Sequence, residues 1–178
     1  MTSINDLVSR NADFAARRFD PSLAINPRGK LMIIGCVDPR VDPSRVLGLE
    51  DGEAAVIRNV GGRVTPATIK TIAMLGKVGQ ANGGGAPGVG WNLVVLHHTD
   101  CGMTDLAAYP DLLAEYFAIP AGDLPAKSVS DPRGSVAVDV AALHQAPVPP
   151  DFVVTGLVYD VATGRVETVV PPAQLRAS

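Results

Sequence analysis

Apolar residues fall in short continuous runs, and between the runs they recur at helical spacing. Lys30 to Cys36 reads as a strand buried on both faces, because Leu31-Met32-Ile33-Ile34-Gly35 is continuous rather than alternating. Glu53 to Ile57, Asn92 to His98 and Phe152 to Tyr159 read as three more strands. Ile4, Leu7, Val8, Phe14, Ala15 and Phe19 form a helical stripe over residues 4–18 with charges opposite. Asp42 as N-cap and Pro43 at the first position predict a short helix to Leu49. Thr65 and Pro66 open another that Ile69, Ile72, Ala73 and Leu75 carry to about Val78. Thr104 is the expected cap of a helix over Asp105 to Phe117, and a last helix runs from Ser135 to Gln145. Residues 160–164 turn the chain into Arg165 to Val170, an expected antiparallel edge strand. The glycine-rich 79–90 and the Pro, Gly and Ser punctuation of 119–134 read as mobile surface segments.

Strands alternating with helices imply an α/β fold, a mostly parallel central sheet flanked by helices on both faces. The expected strand order is 2-1-3-4 with the fifth, antiparallel strand at the edge. The 178 residues suit one domain spanning 1–178, without internal repeats. In such sheets ligands bind at the carboxyl ends of strands where the order reverses. Here that point lies between the first and third strands, which end at Cys36 and His98.

The chain has two cysteines, and both sit at this point. Cys36 opens Cys36-Val37-Asp38-Pro39-Arg40, and His98 with Cys101 makes a His-x-x-Cys pair. Two thiolates and an imidazole are good Zn²⁺ ligands, and three protein ligands leave a fourth position for water. Cys36, His98 and Cys101 are therefore the candidate metal ligands. Asp38 is placed to orient or deprotonate that water, and a bidentate pair with Arg40 would keep it ionised and aimed. The chemistry expected is attack by zinc-bound hydroxide on a small electrophile. Buried thiols or a disulfide at Cys36 and Cys101, and a purely structural Asp38–Arg40 pair, are the plainer alternatives. His97 points to the opposite face of its strand and is assigned a supporting role. His144 lies on a helix away from the site, and Asp100 reads as a capping or loop residue. Gly83 to Gly88 matches G-x-G-x-x-G but precedes a strand, and Pro87 interrupts it, so it is not a dinucleotide fingerprint.

A net charge of -3 and a pI near 5.5 argue against a nucleic-acid partner. No apolar run approaches a membrane span. Met1 to Asp20 lacks the apolar core of a secretory signal, so cytoplasmic residence is expected. In a reducing compartment the two cysteines read as ligands or buried thiols rather than a disulfide.

From Lys30 to Val170 the chain resembles a β-class carbonic anhydrase of the short prokaryotic type. Cys36-x-Asp38-x-Arg40 matches the family's first zinc motif with its Asp–Arg dyad, and His98-Thr99-Asp100-Cys101-Gly102-Met103 matches the second. Arg58-Asn59-Val60-Gly61-Gly62 is similar to a segment beside the site, and Gly156 to Asp160 with Thr163-Gly164 to the closing hairpin. The resemblance implies zinc-dependent reversible hydration of CO₂ to bicarbonate and a proton. Cys36, His98 and Cys101 would bind zinc, Asp38 would accept a hydrogen bond from the zinc-bound hydroxide, and Arg40 would hold Asp38. It also implies a homodimer or higher homo-oligomer in which residues 1–20 form a helix laid on a partner subunit. Pro39 and Val60 depart from the family pattern. Some relatives let the dyad aspartate ligate zinc and close the site. Others act on carbonyl sulfide or carbon disulfide, linear isosteres of CO₂. A closed, non-catalytic zinc or thiol site is the third alternative.

Overall fold

The computed structural model describes residues 1–85 and 88–176. The refused glycine motif includes Ala86 and Pro87, which lie outside the described residues. Five strands form one sheet: β1 (Leu31–Cys36), β2 (Ala54–Asn59), β3 (Asn92–His98), β4 (Val153–Asp160) and β5 (Arg165–Gln174). The order is β2-β1-β3-β4-β5, the order expected. The first four strands pair in parallel and β5 runs antiparallel to β4. β5 continues past Val170 through Pro171 and Pro172, which an edge strand tolerates because one side has no ladder to feed.

The helices are α1 (Ile4–Arg17), α2 (Pro43–Val46), α3 (Pro66–Ala81), α4 (Pro110–Phe117) and α5 (Pro132–Gln145). The Asp-Pro and Thr-Pro signals work as expected. Asp42 accepts from the Ser44 and Arg45 N–H groups, and Thr65 Oγ1 from the Thr68 N–H. Four helix boundaries differ from the sequence expectations, the first at α2, which stops at Val46, three residues short of Leu49. α3 runs to Ala81, three residues past Val78, before Asn82 ends it. α5 starts at Pro132 with Asp131 as its cap, a signal identical to that of α2 but obscured by the surrounding punctuation. Thr104 is no cap: Gly102–Ala108 is 3-10 helix, and α4 begins only at Pro110. Proline drives the residue before it out of helical geometry, and Tyr109 sits at φ -125°, ψ 65°. Residues 119–134 are held by packing. Ala121–Lys127 is 3-10 helix, and Ile119, Leu124 and Val129 pack on Met103, Leu113 and Phe117.

The core lies on one face of the sheet. Met32 and Ile34 of β1, Leu93 and Val95 of β3 and Val154 and Val158 of β4 pack against Ile72 of α3 and Val136, Val140 and Leu143 of α5. The opposite face is buried at Ile33 and Leu96 and more open toward its flanks. Val56 of β2 is 36% exposed, and Val94, Thr155 and Leu157 are half-buried. α1 does not fill this gap. None of its residues is buried, and Ile4, Leu7 and Val8 are exposed.

Beneath the carboxyl ends of the strands lies a buried ion pair that the sequence does not announce. Arg63 and Asp139 are each 1% exposed; Arg63 Nε and Nη2 donate to the carboxylate at 2.8 and 3.1 Å. The Val64 N–H adds a third bond at 2.9 Å. Burial alone would raise the Asp139 pKa, but hydrogen bonds from His97 and Arg63 outweigh it and hold the carboxyl below its usual range. Asp139→Asn leaves a buried guanidinium without its counter-charge and is expected to cost about 3–5 kcal/mol in urea unfolding at pH 7. A carboxyl depressed in the fold stabilises fully above its unfolded pKa of about 3.9 and loses that contribution as pH falls through the folded value. The gap between wild type and variant should therefore narrow on acidification below about pH 4, and a gap independent of pH would refute this account.

Candidate metal centre

Cys36 ends β1 and His98 ends β3, and the parallel register pairs Gly35 with Leu96, so the two ends emerge side by side. Three residues after His98 the chain brings Cys101 back through a turn in which Asp100 adopts φ 53°. The Sγ atoms of Cys36 and Cys101 are 3.9 Å apart, and with a His98 ring nitrogen they form a set within 4.8 Å of one another. His98 Nδ1 lies 2.9 Å from the Thr99 carbonyl, an acceptor, so Nδ1 carries the ring hydrogen and Nε2 the lone pair. That Nε2 is buried and has no hydrogen-bond partner among the described residues. An orphaned, buried lone pair beside two sulfurs is what a soft divalent cation satisfies, and the donor set suits Zn²⁺.

The protonation of the cysteines fits the same account. Two sulfurs this close share one proton: the hydrogen bond from Cys101 draws the Cys36 pKa down to about 4, and the same contact pushes Cys101 up. The Asp38 and Gly61 N–H groups favour the Cys36 thiolate further. Burial disfavours a charged His98, but the negative Cys36 sulfur beside it and the bond to the Thr99 carbonyl raise its pKa on balance. Gly61 and Gly62, at φ 76° and 66°, carry the chain across β1 and β3. A Cβ on Gly62 would sit 3.0 Å from Cys36 N and Leu96 O, so only glycine lets the loop approach this closely.

Asp38 and Arg40 stand beside this set as the sequence predicts. Pro39 starts a short 3-10 turn, Pro39–Val41, that folds Arg40 back on Asp38. The Arg40 N–H donates to Asp38 Oδ1 at 2.8 Å, and Nη2 to Oδ2 at 2.7 Å. These bonds lower the Asp38 pKa to about 2, with the Arg40 side chain the main cause. The carboxylate is therefore turned to Arg40 and is not one of the three clustered donors. Arg40 also reaches Asp100, with Nη1 2.7 Å from Oδ2 and Nη2 2.8 Å from the backbone oxygen. Asp100, expected to be a loop or cap residue, thus ties the second motif to the first.

Arg58 is a site residue that periodicity and spacing do not reveal. Its Nε donates to Cys36 O at 2.9 Å, Nη2 to Asp38 O at 2.8 Å and Nη1 to Asp42 at 2.7 Å. It fixes the backbone on which both the thiolate and the carboxylate hang. His97 points away from the cluster into the α5 face, as alternation along β3 requires, and His144 bonds the Leu175 carbonyl far from the site.

A sheet of this order with a cysteine, a histidine and a cysteine at its switch point defines a small α/β protein with a candidate metal site. A family model for carbonic anhydrase matches residues 31–117. β-Carbonic anhydrase 1 of Mycobacterium tuberculosis is 32% identical over 176 residues, covering 96% of this chain and all of that protein. A carbonic anhydrase structure from Streptococcus mutans superposes with a TM-score of 0.72 at 32% identity, over 95% of this chain and 98% of the other. A carbon disulfide hydrolase from Acidianus is 26% identical over 91% of this chain and 86% of its own. The chain belongs to the β-class carbonic anhydrase family.

Zinc that enters this site must displace the proton held between the two thiols. Zinc added to metal-stripped protein is therefore expected to release protons into weakly buffered solution, with an end point at one equivalent per chain. Cys36→Ser and Cys101→Ser should each abolish stoichiometric retention in elemental analysis; full retention by either would rule out the three-donor site.

Proposed function

We propose that the protein catalyses the reversible hydration of CO₂ to bicarbonate and a proton, with zinc held by Cys36, His98 and Cys101. The observation that carries this is the orphaned His98 Nε2 facing two sulfurs, next to a carboxylate already committed to Arg40. Zinc in such a site supplies a Lewis acid that makes water nucleophilic near neutral pH. The chain's own residues do the rest. Asp38, ionised because Arg40 donates to it through Nε, Nη2 and the backbone N–H, offers its remaining acceptor capacity to the water and fixes where its hydrogen points. Arg40 is in turn held by Asp100, and Arg58 holds the 36–38 backbone, so the carboxylate cannot drift from the donors. A carboxyl this acidic is a hydrogen-bond acceptor rather than a proton store, so the proton produced must leave to buffer. The chain's similarity to carbonic anhydrases over nearly its full length favours CO₂ over sulfur analogues. The similarity to a carbon disulfide hydrolase keeps carbonyl sulfide and carbon disulfide as the second reading, on the same donors. No described helix is long and apolar enough to cross a membrane.

The working form is a homo-oligomer in which α1 lies on a second copy. Among the described residues, the stripe of α1 and the half-covered sheet face around Val56, Val94 and Leu157 are apolar surfaces without a partner. Two copies can bury both at once, each lending α1 to the other.

In stopped-flow assays the CO₂ hydration rate should scale with zinc content, and Asp38→Ala should lose about 10²-fold or more in kcat with zinc retained. A zinc-replete protein inactive on CO₂ but releasing H₂S from carbonyl sulfide would replace the first reading with the second. A zinc-replete protein inactive on both would favour a non-catalytic site. Leu7→Glu with Val8→Glu should lower the solution mass seen by light scattering, and an unchanged mass would show that α1 serves no interface.

A further inference from the structure

Asp139 lies on α5, remote in sequence from every residue of the metal centre, yet its bonds converge on the loop that borders Cys36. Arg63 Nε and Nη2 and the Val64 N–H donate to its carboxylate. A fourth group faces it: His97 Nε2 lies 3.3 Å from Asp139 Oδ2 and 3.2 Å from the Gly62 carbonyl. Both neighbours are acceptors, so Nε2 carries the hydrogen. Nδ1, 2.7 Å from Ser135 Oγ, then accepts from the Ser135 hydroxyl. The loop is cinched from the other side as well. Asn59 Oδ1 accepts from the Arg63 N–H at 2.7 Å, and Asn59 Nδ2 donates to Arg63 O at 2.8 Å.

This network has little freedom. Arg63, His97, Ser135 and Asp139 are all buried, and Arg63 also donates through Nη2 to Lys127 O at 2.8 Å. Arg63, His97 and Ser135 share a cavity of about 50 Å³ with the donor residues His98 and Cys101. The loop they hold, Gly61 to Val64, includes the Gly61 N–H that favours the Cys36 thiolate and the glycine in contact with the Cys36 backbone.

We propose that Asp139, acting through Arg63 and His97, is a positioning residue of the metal centre: it locks the 61–64 loop against Cys36 and so sets the geometry and affinity of the thiolate site. The proposal rests on the assignment of Cys36, His98 and Cys101 as the metal donors. It requires that releasing the loop alters the cysteine site even in a chain that stays folded. Hydrogen-bond partners one step removed from a metal are worth about 10–100-fold in its affinity.

The test needs a variant without the network but also without an uncompensated buried charge, so Arg63→Met and Asp139→Leu are made together. Replacing both ions with apolar groups avoids the penalty of a lone buried charge. Zinc affinity is measured by chelator competition, and the Co²⁺-substituted protein is read by its thiolate-to-metal absorption, with thermal unfolding alongside. The expected result is about 10–100-fold weaker zinc binding and a shifted Co²⁺ spectrum in a cooperatively folded protein. An unchanged affinity and spectrum would overturn the proposal and leave Asp139 a purely structural residue. Should the double variant fail to fold, Ser135→Ala decides. It removes the hydroxyl that orients His97 and is expected to weaken zinc several-fold, and wild-type zinc binding would again overturn the idea. Wild-type protein that takes up no zinc would refute the donor assignment itself, an outcome distinct from either.

Discussion

The site depends on the parallel pairing of β1 with β3. Neither Cys36 nor His98 belongs to a loop that could be repositioned independently; each is the final residue of a central strand. Their separation is set by the strand spacing and by a register that places Gly35 opposite Leu96. A one-residue slip would turn His98 to the α5 face and His97 to the site, since successive side chains point to opposite faces. The slip would also move Leu93 and Val95 out of the core, and that apolar cost makes the register reliable. The donor geometry is thus stabilised by burial far larger than the site itself.

Charge is organised outward from that fixed pair in two layers. Nearer the solvent, Asp38, Arg40 and Asp100 form a chain of alternating charge joining the two motifs, with Arg40 48% exposed on its side chain. Exposed pairs are individually weak, but the Pro39–Val41 turn and the Arg58 bonds to Cys36 O and Asp38 O limit how far Asp38 can move. Beneath the strands, Arg63 and Asp139 carry charge in a dry environment where an unmatched partner is costly. The outer layer tunes an acceptor, and the inner one secures backbone.

Much of this was legible in the sequence because the relevant residue types are rare and placed at strand ends. With only two cysteines, both at a predicted switch point, few other arrangements were open to a candidate metal site. Parallel pairing followed from alternation and the crossover rule, and His97 was separated from His98 by parity alone. Local signals failed where two of them competed. Thr104 is a good cap residue, yet Pro110 downstream dictates where the helix starts. Asp131-Pro132 was a sound start signal lost among other turn residues. The pairing of Arg63 with Asp139 spans 76 positions and leaves no periodic trace, so it emerges only once α5 is packed on β3. The uncovered sheet face was equally hidden, because a continuous apolar strand looks the same whether its second face meets a helix or another chain.

That last ambiguity bears on how the site is finished. A single chain buries Cys36 but leaves Cys101 half-buried and Val37 and Val60 51% and 43% exposed. Linear apolar substrates such as CO₂ and carbon disulfide present almost no hydrogen-bonding groups, so selection among them must come from the size and dryness of the space over the metal. In this chain that space is only partly built, while α1 and the open sheet face both remain uncovered. The surfaces that would close two copies on each other lie on the same molecule as a substrate approach in need of walls.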